Sequence, residues 1–262
     1  MTCELQPLGS FRRAGRKRSS GIGWCAVTLA WAGGVQAGFA SEQPDAYARP
    51  VDVAVSEDDR WLVIANATGT ITLVDRVAGG QVDTLPVGGR PVAVARIRDR
   101  QFVMVTREGG SLLRIDVDHD HLVERGRVRL GYEPWAVATS ADGSRAFVAL
   151  SASGQVAALD AGSLAPQGFI DVGPRPAAIA VSPDDRLVGV MCASPMQLVL
   201  IDAATAQVLS RHPFQGFNPG QLAFSPDGRD LFFTFTYDGG SHPSPGNIRR
   251  GWVTGSRLGC LR

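Results

Sequence analysis

Three arginines, Arg49, Arg90 and Arg175, each stand directly before a proline, and Glu133 and Asn218 hold the same place before Pro134 and Pro219. Guanidinium groups gathered on one face bind a carboxylate or a phosphate through paired, charge-assisted hydrogen bonds. The plainer role for each Arg is to complete a turn or to pair with Glu133. A second candidate is the stretch from Tyr237 to Asn247, which holds Asp238 and His242 and is followed by Arg249 and Arg250, the contents of a lid or docking loop. In Asp118-His119-Asp120-His121 an extended backbone would put both His on one side, so His119 and His121 could ligate a metal, with a polar turn as the simpler reading. His212 is a lone His beside Pro213. There is no G-x-S-x-G elbow, and no base is evident near a serine. No cofactor is expected: nothing matches C-x-x-C-H, and four cysteines, two of them in the first 25 residues, are too few for zinc ribbons. Trp61 and Trp135 read as packing residues, with a place along a binding channel as the alternative.

The elements that must position these groups follow from the prolines themselves. Pro50, Pro91, Pro134, Pro176 and Pro219 lie 41, 43, 42 and 43 residues apart, and each opens the same pattern of apolar stretch, Asp-rich turn and second apolar stretch. In four copies a third stretch follows and ends in Asp, at Asp75, Asp116, Asp160 and Asp202. Short strands repeating every 40 to 45 residues predict an all-β propeller with one four-stranded blade per repeat. The blades fall at about 49–89, 90–132, 133–174, 175–217 and, incomplete, 218–262. In the first, alternation places strands at 51–55, 61–65, 70–74 and 81–86. The turn between the first two strands reads SEDD, SADG, SPDD and SPDG in repeats one, three, four and five, residues suited to preset φ, local side-chain bonds and positive φ. Repeat two has Arg96-Ile97-Arg98-Asp99 there, so a less regular turn is expected. The residues before the repeat prolines and the loops joining second to third strands emerge on one face, around the central channel.

These segments resemble the YVTN-type repeats of bacterial β-propellers: a Pro-led strand, an SPDG-like turn, strands such as LVIAN at 62–66 and FVAL at 147–150, and the endings LVD, RID, ALD and LID. The resemblance covers residues 49 to about 236. It implies the fold; such propellers serve as ligand sensors, enzyme scaffolds, cofactor holders and surface proteins, so function must come from the site.

After SPDGRDLFFTFT the fifth repeat departs, with roughly nine extra residues before an apolar run returns near Gly251-Trp252-Val253 and with no Asp to close its third strand. The expectation is an incomplete seven-bladed ring; the alternative is a five-bladed ring whose missing outer strand comes from 41–48, a stretch otherwise read as linker.

Residues 1–37 have the layout of a secretory leader: basic Arg12 to Arg18, apolar Ile22 to Ala32, then Val35-Gln36-Ala37. A cut after Ala40 and a retained anchor are the alternatives, although the apolar run falls short of the roughly 20 residues a span needs. Without the leader, 21 basic residues face 24 acidic ones, and no Lys follows Lys17. A near-neutral surface with no basic run argues against nucleic-acid binding. The sequence therefore points to an exported, periplasmic or surface-bound scaffold, without a membrane span after leader removal, that binds a small anionic ligand or a protein. The other reading is a propeller lactonase or the propeller part of a redox protein.

Overall fold

The computed structural model describes residues 4–6, 48–131, 133–238, 244–246 and 254–262. It is all-β, with a propeller's repeated sheets. Strand β1 (Glu4–Gln6) belongs to the last sheet; the first blade comprises β2 (Pro50–Val55), β3 (Trp61–Asn66), β4 (Thr70–Asp75) and β5 (Gly80–Pro86). Blade two holds β6 (Pro91–Arg98), β7 (Gln101–Thr106), β8 (Ser111–Asp118) and β9 (His121–Arg129). Blade three holds β10 (Pro134–Thr139), β11 (Arg145–Leu150), β12 (Gln155–Asp160) and β13 (Pro166–Asp171). Blade four holds β14 (Pro176–Val181), β15 (Leu187–Ala193), β16 (Met196–Asp202) and β17 (Gln207–Pro213). Blade five runs β18 (Leu222–Phe224), β19 (Leu231–Asp238), β20 (Thr254–Leu261) and then β1. All pairings are antiparallel.

Blade five corrects two expectations. Its third strand is complete, because β20 pairs with β19 from Asp238↔Thr254 to Leu231↔Leu261. Its outer strand is β1, with Leu5 opposite Gly259; residues 41–47 of the alternative closing stretch lie outside the described residues. The rest of the leader reading lies outside the described residues.

The Asp-rich turns show why four repeats chose Ser-x-Asp. In each, the Ser hydroxyl donates to the Asp carboxylate at 2.5 to 2.6 Å, from Ser56 to Asp58, Ser140 to Asp142, Ser182 to Asp184 and Ser225 to Asp227. The same oxygen accepts from the backbone N–H that opens the next strand, at Trp61, Arg145 and Leu187, or immediately precedes it, at Asp230, each at 2.9 Å. One hydroxyl thus satisfies two groups that a tight turn would otherwise strand. These bonds, foremost among the causes, hold Asp58 down to about 2 and lower Asp142, Asp184 and Asp227 below the ordinary carboxylate range. A depressed carboxylate stabilises the fold above its unfolded pKa and loses that contribution as pH falls through the folded value. Urea unfolding should therefore show stability falling from about pH 4 towards pH 2. The penalty for Ser182→Ala should shrink over the same window, and an unchanged penalty at both ends would contradict this origin.

Repeat two solves the turn differently. Buried Ile97 replaces the Ser, β6 extends to Arg98 through a bulge, and only Asp99 and Arg100 connect it to β7. The turn expected to be less regular is instead a two-residue hairpin, with Asp99 at φ 44°.

Four apolar cores join successive blades. Each uses one face of a blade and the opposite face of the next, as period-two alternation dictates. Val94, Val137, Ile179 and Leu222 occupy one repeat position, opposite Met104, Val148, Val190 and Phe233, and all are buried. The equivalent Val53, opposite Ile64, is 52% exposed, as are Val51 at 46% and Val55 at 36% on the same face. No apolar cluster of the described residues joins blade five to blade one. Among the described residues, blade one's leading face is left exposed.

Candidate functional site

The residues before the repeat prolines are held in unusual backbone. Arg49, Glu133, Arg175 and Asn218 have φ between 48° and 57°, a left-handed conformation uncommon for residues with a side chain. The carbonyls of Arg49, Arg90, Glu133 and Arg175 accept from Ala67, Arg107, Ser151 and Ala193 at 2.8 to 3.1 Å, tying each blade's entry to the exit of its own second strand. That tie fixes the chain direction where each of these blades begins.

At the entries of blades three, four and five lies a cavity of about 540 Å³ lined by Arg107, Glu133, Trp135, Ser151, Arg175 and Asn218, together with small apolar residues. Three expected residues, Glu133, Arg175 and Asn218, are brought together here. Arg49 and Arg90 are not in its lining, so the Arg set does not converge as a ring. Glu133 is paired by an Arg that the sequence did not single out: Arg107 Nε donates to its Oε1 at 2.7 Å, and Arg107 Nη2 donates to the same oxygen. The Arg107 guanidinium also lies over the Trp135 ring, 4.6 Å from its centroid, a cation–π contact. Trp135 keeps 39% of its surface exposed. Arg175 makes no side-chain hydrogen bond or ion pair among the described residues. A second hollow of about 330 Å³ adjoins at Ser151, Ala152 and Arg175.

The other candidates separate from this site. Tyr237, at the end of β19, packs on the core between blades four and five, with Arg257 5.6 Å from its ring centroid. His242 lies outside the described residues. His119 sits in the β8–β9 turn and His121 opens β9, at the opposite end of the blades; His119 has φ 56°, so the extended alternation expected to align the two rings is broken. Their partners are carboxylates, Asp118 at 2.9 Å for His119 and Asp120 at 3.3 Å for His121. Among the described residues no three or more His, Cys, Asp or Glu gather as a metal-binding group. One serine does meet a base, against expectation: Ser210 Oγ is 2.9 Å from His212 Nε2 on β17. The pair stands on an outer strand, away from the cavity's lining. Cys192 is buried in the core between blades three and four, and burial pushes its thiol up to about 11, which disfavours the reactive thiolate. No helix among the described residues is long and apolar enough to cross a membrane.

No protein-family model matches the chain, and no curated protein does. Solved structures resemble it. Hydrazine synthase from Kuenenia stuttgartiensis aligns at 20% identity with a TM-score of 0.76, over 88% of this chain and 66% of that one. A functionally unknown protein from Desulfotomaculum acetoxidans DSM 771 aligns at 18% and 0.61, over 70% and 64%. The Cps50 (Swd1) β-propeller domain from Myceliophteria thermophila aligns at 13% and 0.61, over 75% and 67%. The chain spans about two thirds of the length of each. At these identities the likeness shows the fold alone, and the fold is that of a β-propeller.

Proposed function

We propose that the chain is an exported, non-catalytic propeller of the YVTN-type repeat class that serves as a binding scaffold and takes a small anionic ligand at the channel mouth. One observation carries this reading: Arg175 lines a cavity of about 540 Å³ with no counter-ion among the described residues, while the neighbouring Arg107 is already matched by Glu133. The volume suits a small molecule. An unmatched guanidinium favours an anion, and its planar fork suits a carboxylate or phosphate. Export is supported by the basic, apolar and small-residue order of positions 1–37. Cleavage there would remove β1 and leave β18, β19 and β20 as the fifth sheet.

A ligand that binds only the folded state raises its unfolding midpoint. In a thermal-unfolding panel of carboxylates and phosphates, at least one anion should protect the wild type, and Arg175→Ala should lose most of that protection. Equal behaviour of the two proteins across the panel would reject the site. For export, the amino-terminal sequence of the protein recovered from bacteria should begin at Gly38 or Ser41. Recovery from the cytoplasm with residue 1 intact would reject it.

A further inference from the structure

Resting on the anion-pocket reading, we infer that the channel-mouth cavity is built for an aromatic monocarboxylate. Charge is the first reason. Among the described residues the lining carries Arg107 and Arg175 against Glu133, a formal net charge of +1, and the Arg107 charge is already paired with Glu133 through Nε and Nη2. A single carboxylate balances the remaining guanidinium. A doubly charged phosphomonoester would leave one negative charge uncompensated beside Glu133, a like-charge contact that no second unpaired cation among the described lining residues offsets.

The second reason is the shape and polarity of the rest of the lining. Ala152, Ala177, Ala193 and Pro219 make small apolar walls, and Trp135 supplies a wide ring. Trp135 is held in place by Arg107, which Glu133 anchors in turn, so an exposed indole surface is presented on a fixed support. A flat arene gains from burial and from ring-to-ring contact on such a surface. A sugar acid of similar size brings several hydroxyls, each of which loses affinity if it is desolvated without a partner. Ser151 and Asn218 are the neutral polar side chains of the lining, and they suffice for one or two polar substituents. Arg175 and Trp135 come from the entries of neighbouring blades, so the carboxylate would engage Arg175 while the arene lies over Trp135.

The test is titration of the whole protein with 2-naphthoate and benzoate, followed by calorimetry and by the part of the tryptophan fluorescence change that Trp135→Phe removes. Naphthoate should bind more tightly than benzoate. 2-Naphthamide, the uncharged analogue, should bind at least tenfold more weakly than naphthoate. Arg175→Ala should weaken naphthoate at least tenfold, and Trp135→Ala should weaken naphthoate more than acetate. Inorganic phosphate or glucuronate binding more tightly than either arene would overturn the aromatic-monocarboxylate assignment and leave the anion pocket standing. Equal binding of naphthoate and naphthamide would overturn it as well. If no anion distinguishes wild type from Arg175→Ala, both this inference and the pocket fall.

Discussion

Aspartate in place of Val137 should abolish cooperative folding, whereas aspartate in place of Val53 should change stability by less than about 1 kcal/mol. The two valines hold the same repeat position, one opposite Val148 and the other opposite Ile64. Val137 is 9% exposed inside the core between blades two and three; Val53 is 52% exposed on the leading face of blade one. A carboxylate at Val137 would be desolvated among Val148, Leu159 and their neighbours, at a cost of several kcal/mol against a total stability of about 5 to 15 kcal/mol. The same group at Val53 points into solvent. Val137→Ala, which removes two methyl groups without adding charge, should cost about 1 to 2 kcal/mol and yield a folded control. Urea unfolding monitored by circular dichroism measures all three. A Val53→Asp protein as damaged as Val137→Asp would mean that the leading face is covered in solution, against the exposure of Val53.

The blades were legible where two independent signals agreed. In repeat one, alternation marked the strands and Ser-x-Asp marked the turn, and the strands form within one residue of the positions read from the sequence. The alternation also held the uncovered face, but exposure at Val53 depends on what stands beside the sheet, which no local pattern records. Repeat two lost its Ser, and with it the cue that would have located the turn; the bulge that lengthens β6 has no signature in Arg96-Ile97-Arg98. In blade five, β20 reads Thr-Gly-Ser-Arg-Leu-Gly-Cys-Leu, and two glycines with little alternation hid a strand that pairs along its whole length. At the site, the residues before the prolines were visible as a set because the repeat puts them at one height. Which of them share a cavity depends on blades meeting across the channel. Arg107 was hidden for a related reason: it follows a second strand, a position the repeat leaves variable, and only the turn of blade two against blade three carries it to Glu133 and Trp135. The place of Arg107 in a loop joining a second to a third strand, on the same face as Glu133, is the one sequence signal that points to it.

Valine at position 259 should destabilise the protein by about 1 to 3 kcal/mol, although the repeat pattern alone would recommend it. Gly259 lies opposite Phe233, the place held by Thr72, Leu113, Ala157 and Val199 opposite Ile64, Met104, Val148 and Val190. Each of those blades shares the volume between two side chains of moderate size. Blade five gives it to one: Phe233 is 1% exposed, and a Cβ on Gly259 would come within 2.6 Å of three of its ring atoms. The ring cannot retreat easily, since Phe214 and Phe235 contact it at centroid distances of 5.0 and 5.7 Å. Phe233→Val should cost about 2 to 4 kcal/mol by leaving a void in that cluster. The double variant Phe233→Val with Gly259→Val rebuilds the division of volume found in blade four, where Val190 faces Val199. Its loss should be smaller than the sum of the single losses by about 1 kcal/mol or more, the coupling expected of residues in direct contact. Additive losses, or a Gly259→Val protein as stable as wild type, would show that Phe233 does not cover β20 and that the fifth blade lacks the strand pairing on which its core depends.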